Sequence, residues 1–361
     1  MRIAMLLSGG VDSSVALHRL LASEVAELGP VAPGDILACY LKIWLEDELS
    51  FLGDCPWDED LDYVRAVCRS AGVELAVVPL QRPYRQLVIE DALGELRAGR
   101  TPSPDILCNR RIKFGAFSER LEELGDFDRI ASGHYARTRR RGDGTSELLR
   151  GVDPVKDQTY FLHRLEQRQV QRLVFPLGDL EKAEVRRRAD ELGLPNRTRR
   201  DSQGLCFLGG VDFNDFVRAH LGDRPGPIRE VETGAVLGEH RGHWFHTIGQ
   251  RRGLGLGGGP WFVVGKDVDA DTLWVRHGDR LQSGGDGGRF VATSLHWIGE
   301  PPSAERGHVR IRHGPGLAGA RFCPRGADLE IRLDAEDPGI APGQAAVIYA
   351  GEICLGGGWV A

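Results

Sequence analysis

The chain opens on a continuous apolar run, Ile3-Ala4-Met5-Leu6-Leu7, and then changes period. After Ser8-Gly9-Gly10-Val11-Asp12-Ser13-Ser14 the apolar positions Leu17, Leu20 and Leu21 continue an amphipathic stretch, which predicts strand, glycine turn and helix. Leu37-Ala38-Cys39-Tyr40-Leu41, Leu75-Ala76-Val77-Val78 and Arg129-Ile130-Ala131-Ser132 predict further strands, and helical patterns occupy the regions around 58–71, 84–97 and 112–124. Strands alternating with helices imply an α/β domain with a parallel sheet covered on both faces. Ligands of such sheets sit beyond the carboxyl ends of the strands. The loops after Leu7, Leu41 and Ser132 are therefore expected to converge, bringing Gly133-His134 to the glycine turn. Beyond about residue 207 the pattern shortens to alternation, as in Trp261-Phe262-Val263-Val264, Leu273-Trp274-Val275, Val309-Arg310-Ile311-Arg312 and Ala345-Ala346-Val347-Ile348-Tyr349, an all-β signature. Gly-rich polar stretches at 253–259 and 282–288 read as loops, the second a boundary between a central and a C-terminal β domain.

Composition narrows the class. With 361 residues, 41% hydrophobic and 27% charged, the chain can bury two or three sizeable cores. No run reaches the 18 or so apolar residues of a membrane span, and the first strand leaves no room for a signal peptide, so a cytoplasmic location is expected. The seven cysteines, Cys39, Cys55, Cys68, Cys108, Cys206, Cys323 and Cys354, are odd in number and contain no Cys-x-x-Cys, which fits neither a disulfide framework nor a zinc ribbon. A net charge of −6 argues against nonspecific nucleic-acid binding, but the charges are segregated. Acidic groups crowd between Glu46 and Asp62, whereas Arg137-Thr138-Arg139-Arg140-Arg141, Arg186-Arg187-Arg188 and Arg197-Thr198-Arg199-Arg200 are basic clusters, either solvated faces or phosphate contacts.

The glycine turn carries the first chemistry. Two glycines allow close approach to an anion, the hydroxyls of Ser8, Ser13 and Ser14 can donate, and the helix start adds N–H groups and a positive dipole end. There is no Gly-x-x-x-x-Gly-Lys-Ser/Thr, hence no loop lysine for terminal phosphates. The turn resembles the PP-loop of ATP pyrophosphatases, which adenylate a carbonyl oxygen and release pyrophosphate. A second segment, from Arg100 to Phe114, contains Pro102 and Pro104, read as an extended approach, with a helical pattern beginning near Asn109. Cys108 is then expected at a helix N-terminus beside Arg110, Arg111 and Lys113, an environment that favours thiolate. Cys206 lies in another glycine-containing stretch, Asp201-Ser202-Gln203-Gly204-Leu205-Cys206-Phe207-Leu208-Gly209-Gly210.

Together with Thr101-Pro102-Ser103-Pro104-Asp105-Ile106-Leu107-Cys108-Asn109, Ser132-Gly133-His134-Tyr135, Lys156-Asp157-Gln158-Thr159-Tyr160-Phe161-Leu162, Thr247-Ile248-Gly249-Gln250-Arg251-Arg252-Gly253-Leu254 and Pro342-Gly343-Gln344, these motifs fall in the order seen in bacterial-type tRNA-specific 2-thiouridylases. The resemblance spans nearly the whole chain. It implies a PP-loop, adenine nucleotide alpha hydrolase-like domain over 1–207, a small central domain over 208–284 and a C-terminal β-barrel over 285–361. It also implies ATP- and Mg²⁺-dependent thiolation of carbon 2 of the wobble uridine in tRNAs for Lys, Glu and Gln. The nucleotide would lie against Leu6, Leu7, Ser8, Gly9, Gly10, Val11, Asp12, Ser13, Leu41 and Gly133.

Two assignments of the catalytic residues follow from the resemblance. In one, Cys206 carries a persulfide received from a cysteine desulfurase or a relay protein, Asp105 assists proton transfer, Cys108 is a nucleophile, and a Cys108–Cys206 disulfide forms on turnover. In the other, Asp105, Cys108 and Cys206 hold three irons of a 4Fe–4S cluster. For tRNA, the implied positions are Ser103, Pro104 and Asp105 near the base, then His134, Lys156, Asp157, Gln158, Arg312, His313 and Gln344. Ser103 stands where the family often has Asn, and His313 where an aromatic such as Tyr is common. Trp57, Trp244, Trp261 and Trp359 read as packing residues. Two other classes fit the loop alone: a synthetase adenylating a small metabolite, which needs neither the cysteine pair nor a β-rich half, and a tRNA-binding protein without turnover, against which the intact phosphate loop counts.

Overall fold

The computed structural model describes residues 1–43, 57–200, 212–278, 288–335, 337 and 340–361. The opening apolar run forms β1 (Ile3–Leu6), buried along its whole length as a central parallel strand requires. It is followed by α1 (Val11–Leu21), then β2 (Ile36–Lys42), β3 (Glu74–Pro79), β4 (Arg129–Ser132), a hairpin of β5 (Ala136–Arg140) and β6 (Ser146–Arg150), and β7 (Leu173–Val174). The parallel sheet has the order β3-β2-β1-β4-β7. The chain direction of the order reverses across β1, so a crevice opens between the carboxyl ends of β1 and β4, where Leu6 pairs with Ser132. Because successive strand residues face opposite ways, β1 serves two cores. Ile3 and Met5 pack with Val15, Leu17 and Leu20 of α1, whereas Ala4 and Leu6 join Ile112, Phe114 and Phe117 on the other face.

The central region forms a sheet in the order β10-β11-β8-β9 from β8 (Gly226–Glu230), β9 (Val236–His240), β10 (Trp261–Asp267) and β11 (Thr272–His277). Its small core is Ile228, Leu254, Val263, Leu273 and Val275. The C-terminal strands are β12 (Arg289–Trp297), β13 (Arg306–Arg310), β14 (Ala318–Arg325), β15 (Asp328–Leu333), β16 (Ala345–Ala350) and β17 (Ile353–Val360). They run β12-β15-β14-β13-β16-β17, and β12 also pairs with β17, closing a barrel. Val309-Arg310-Ile311-Arg312 is only half strand, since β13 ends at Arg310.

The β5–β6 hairpin departs from the expectation of a purely α/β first half. It extends the barrel sheet through β17, with Leu149 opposite Ile353 and Leu148 opposite Cys354. Its apolar content is too short to announce a strand, and its partner lies 200 residues downstream in a different fold layer.

The same seam holds a buried ion pair. Arg310 at the end of β13 donates to Asp157 Oδ2 at 2.9 Å, with side chains 1% and 0% exposed. Asp157 also accepts from Arg150 Nε at 3.3 Å, Gly151 N at 3.2 Å, Thr159 N at 3.2 Å and Thr159 Oγ1 at 2.8 Å. Arg310 is less well provided: its Nε and Nη2 are buried without a hydrogen-bond acceptor. Removing a buried charge's only counter-ion costs about 3–5 kcal/mol, whereas losing one of several donors costs about 1–3 kcal/mol. Asp157→Asn is therefore expected to destabilise more than Arg310→Met, and the double variant to lose less than the sum, as read by chemical denaturation.

Buried neutral histidines add a pH dependence. Burial pushes His163 down to about 3 and His246 down to about 4, against about 6.5 in the unfolded chain. Below that value the unfolded chain binds protons that the folded chain refuses, so stability present in full above pH 6.5 is lost toward pH 3. The slope is about 1.4 kcal/mol per pH unit for each such group. Urea unfolding of His163→Gln at pH 7 and pH 4.5 should show an acid loss smaller than that of the parent by about 2.5 kcal/mol.

Candidate active site

The glycine turn is built by its own side chains and clamped from outside. Gly9 has φ +78° and Gly10 precedes α1 in an extended conformation. Ser13 Oγ and Ser14 Oγ donate to Gly10 O at 3.0 and 3.1 Å, and Ser8 N donates to Ser13 Oγ at 3.3 Å. Gly9 O accepts from Asn196 Nδ2 at 2.8 Å and Arg199 Nη1 at 3.2 Å, and Arg199 also pairs with Asp60. Asp12 Oδ1 receives Lys182 Nζ at 2.6 Å and Tyr135 OH at 3.0 Å. Gly133, at the exit of β4, lies so close to α1 that a Cβ there would sit 2.9 Å from Ser13 N and Cα. The predicted meeting of the β1 and β4 loops is therefore a direct contact. Leu41 lies near the carboxyl end of the neighbouring strand β2, partly buried against the second core.

The Cys108 segment differs from the expectation. Pro104 does not extend the chain: it takes the first position of the helix Pro104–Leu107, where its fixed φ suits the helix and its missing N–H is no loss. The helix runs on as Cys108–Ala116 and Phe117–Leu124, the first of these in wide turns in which Phe117 N reaches Ile112 O. Cys108 consequently stands one turn inside the helix and is buried, and Asp105 occupies the helix start. Three residues apart, Asp105 and Cys108 share one helix face. Gln169 Nε2 donates to Arg110 O at 3.0 Å and Phe114 O at 2.7 Å, holding two carbonyls of the widened stretch. Cys206, with the whole of 201–211, lies outside the described residues.

Residues 1–210 match the tRNA methyl transferase HUP domain family, 214–277 the tRNA methyl transferase PRC-barrel domain and 288–360 the aminomethyltransferase beta-barrel domain. The chain is 43% identical over 366 residues to tRNA-specific 2-thiouridylase MnmA 1 of Bacteroides thetaiotaomicron, spanning 99% of each. It is 42% identical over 368 residues to tRNA-specific 2-thiouridylase MnmA of Parabacteroides distasonis, spanning 100% of this chain and 99% of that one. The chain belongs to the tRNA-specific 2-thiouridylase family.

In this thiouridylase the remaining candidate residues gather round the short helix Thr159–Leu162. Asn109 Nδ2 donates to Phe161 O at 3.3 Å, and Tyr160 OH donates to Ile311 O at 3.1 Å and Ala345 O at 3.4 Å. His313, exposed, stacks on Phe161 with centroids 4.8 Å apart and planes at 30°. Arg312, also exposed, pairs with Asp337. Gln344 Oε1 accepts from Ala341 N at 3.0 Å, and a Cβ on Gly343 would lie 3.3 Å from Arg100 Cβ and Thr101 N, so this barrel loop abuts the approach to Ser103 and Pro104. Gln158 Oε1 accepts from Tyr135 N at 2.9 Å, tying 156–158 to the β4 exit. Lys156 is half-buried beside it. Asp157 is buried and committed to the ion pair with Arg310, so its side chain orders this loop from within. His134 is buried between Phe114 and Phe175, bonded through Nδ1 to Ser132 Oγ at 2.6 Å, and held neutral by burial and the nearby Lys113 charge.

Of the basic clusters, several members are spent inside the chain. Arg187 pairs with Glu184 and Glu191, Arg188 with Glu184 and Glu24, Arg139 with Glu147 and Arg137 with Glu352. Trp244 is buried, and Trp261 and Trp359 are partly buried against the central core and the core under β4, Trp359 beneath Arg164, all as the packing reading expects. Lys182 and Asn196 at the phosphate loop carry no local sequence signal for that role, because only the tertiary fold brings them there, whereas Arg199 belongs to a basic cluster and Tyr135 to the Ser132–Tyr135 motif. Gly133→Ala should push the β4 loop off α1 and weaken ATP about tenfold or more, roughly 1.4 kcal/mol, in equilibrium binding.

Proposed function

We propose that the protein is an ATP-dependent tRNA-uridine 2-sulfurtransferase acting on carbon 2 of the wobble uridine of tRNAs for Lys, Glu and Gln. The observation that carries this reading is the match to 2-thiouridylases over essentially the full chain. The small-metabolite synthetase is not favoured, since no part of the chain is left outside that match. Domain limits at 207 and 284 are part of the proposal, as is a cytoplasmic setting. Among the described residues no helix is long and apolar enough to cross a membrane.

A uracil oxygen is a poor leaving group, so ATP must first activate it. The oxygen bonds to the α-phosphorus as the bond to pyrophosphate breaks; sulfur then adds at carbon 2 and AMP departs. Leu6, Leu7, Ser8, Gly9, Gly10, Val11, Asp12, Ser13, Leu41 and Gly133 would line the nucleotide. Mg²⁺ is best carried by the triphosphate itself, as such ions are commonly bound by phosphates and one or two carboxylates. Asp12 is the carboxylate at the helix start. No group of three His, Cys, Asp or Glu side chains arranged for a metal occurs among the described residues.

For sulfur transfer, Cys206 would carry a persulfide supplied by a cysteine desulfurase or a relay protein. Its terminal sulfur joins carbon 2, Cys108 thiolate bonds to the remaining Cys206 sulfur, and an external thiol reduces the resulting disulfide. Asp105, on the same helix face as Cys108, would assist the proton transfer. In the competing assignment the same three residues would instead hold a 4Fe–4S cluster, which would supply an iron site for sulfide. Ser103, Pro104, His134, Lys156, Gln158, Arg312, His313 and Gln344 would receive the anticodon.

Anaerobic turnover with unmodified tRNA, ATP and Mg²⁺ tests the proposal, with cysteine and a cysteine desulfurase as sulfur source in one arm and sulfide in the other, each scored as 2-thiouridine by mass spectrometry with and without reconstituted iron. Product is expected from the parent chain and from neither Cys108→Ala nor Cys206→Ala, with iron dependence choosing between cluster and persulfide. AMP release without tRNA and without thiouridine would overturn it.

A further inference from the structure

The phosphate turn has no lysine of its own, yet the fold delivers one. Lys182 is the first residue of the helix Lys182–Glu191, whose start is anchored by Lys182 N donating to Asp153 Oδ2 at 3.0 Å. Its ammonium donates to Asp12 Oδ1 at 2.6 Å in the first turn of α1 and lies 5.9 Å from the centre of the Tyr135 ring. The side chain is only 15% exposed, so the charge is held at this place rather than waving in solvent. The unpaired N–H groups of a helix start attract an anion, but a carboxylate in the same turn opposes one. A fixed ammonium on that carboxylate cancels the opposition and sets a cationic donor beside the first turn of the helix.

We infer that Lys182 is the lysine of the phosphate site, binding the β- and γ-phosphates of ATP and neutralising the pyrophosphate that leaves. As the uracil oxygen bonds to the α-phosphorus, the α-phosphorus to bridging-oxygen bond breaks and its electron pair goes to pyrophosphate. Lys182 keeps its proton throughout and supplies charge only. Asp12 is the positioning residue that holds the ammonium before nucleotide arrives. The inference rests on the proposed ATP-dependent activation.

The test uses the full chain and Lys182→Met and Lys182→Arg variants, with Mg²⁺ present. Calorimetry measures binding of pyrophosphate and, separately, of AMP, and a coupled assay measures tRNA-dependent pyrophosphate release. Lys182→Met should weaken pyrophosphate at least tenfold, leave AMP within twofold, and slow release on the order of a hundredfold, the usual effect of removing one charge-stabilising donor. Lys182→Arg should recover part of both losses. Unchanged pyrophosphate affinity, or equal weakening of pyrophosphate and AMP as expected of a mere structural staple, would overturn the inference. A parent chain that binds pyrophosphate through Lys182 but releases none from ATP and tRNA would sink the thiolation reading and leave this site standing.

Discussion

The Asp157–Arg310 ion pair is the constraint on which the seam between the barrel and the α/β domain depends. Neither side chain is solvated, and the Arg310 charge is tolerable only while Asp157 is in place, whereas Asp157 also holds Arg150 and three further donors. That requirement fixes the end of β13 against the loop 156–158 and thereby sets the neighbours of both. Tyr160 can then reach the carbonyls of Ile311 and Ala345, His313 can lie on Phe161, and Thr159 Oγ1 can meet Tyr349 OH at 3.1 Å. A barrel and an α/β domain joined only by apolar contact could slide. Joined through a directional pair with a saturated carboxylate, they have one register.

The phosphate loop is shaped by the opposite device, many weak holds from distant segments. Asn196 and Arg199 bind Gly9 O, Lys182 and Tyr135 bind Asp12, and Gly133 presses on Ser13. Each hydrogen bond contributes only about 1 kcal/mol, but together they remove the freedom a glycine turn would otherwise have. A loop already in its binding shape does not have to be ordered by the ligand, so more of the interaction remains available for affinity and for the leaving phosphate.

How much of this was legible depended on range. The strands of the parallel sheet and α1 were plain from period, because their burial follows from local alternation of apolar residues, and the convergence of the β1 and β4 loops followed from sheet topology. The helix start was misplaced by four or five residues because proline is ambiguous: it ends an extended approach or begins a helix, and Pro104 does the second. The β5–β6 hairpin was missed because its pairing energy comes from β17 rather than from its own sequence. Lys182 and Asn196 were invisible for the same reason, lying 170 and 187 residues from their partners in the loop. Asp157, by contrast, stood out in a motif, but sequence could not reveal that its carboxylate faces inward.

The approach to Asp105 and Cys108 ties both β domains to the helix that carries these two side chains. Gly99, at φ +75°, lies under Val268 in the turn after β10, close enough that a Cβ there would be 2.7 Å from Val268 Cγ2. The next two residues, Arg100 and Thr101, lie against Gly343 of the barrel, and Arg100 is also held by Glu95 through two bonds of 2.6 Å. Successive residues of one strand of chain are thus gripped by different domains just before the helix that carries Asp105 and Cys108 begins. A helix follows its first turn rigidly, so a displacement of either β domain is transmitted to the carboxylate and the thiol as a change of aim. The barrel that holds the anticodon loop in the proposed reaction is therefore the same body that aims the groups acting on the base, which makes correct seating of the RNA and correct placement of the chemistry a single condition.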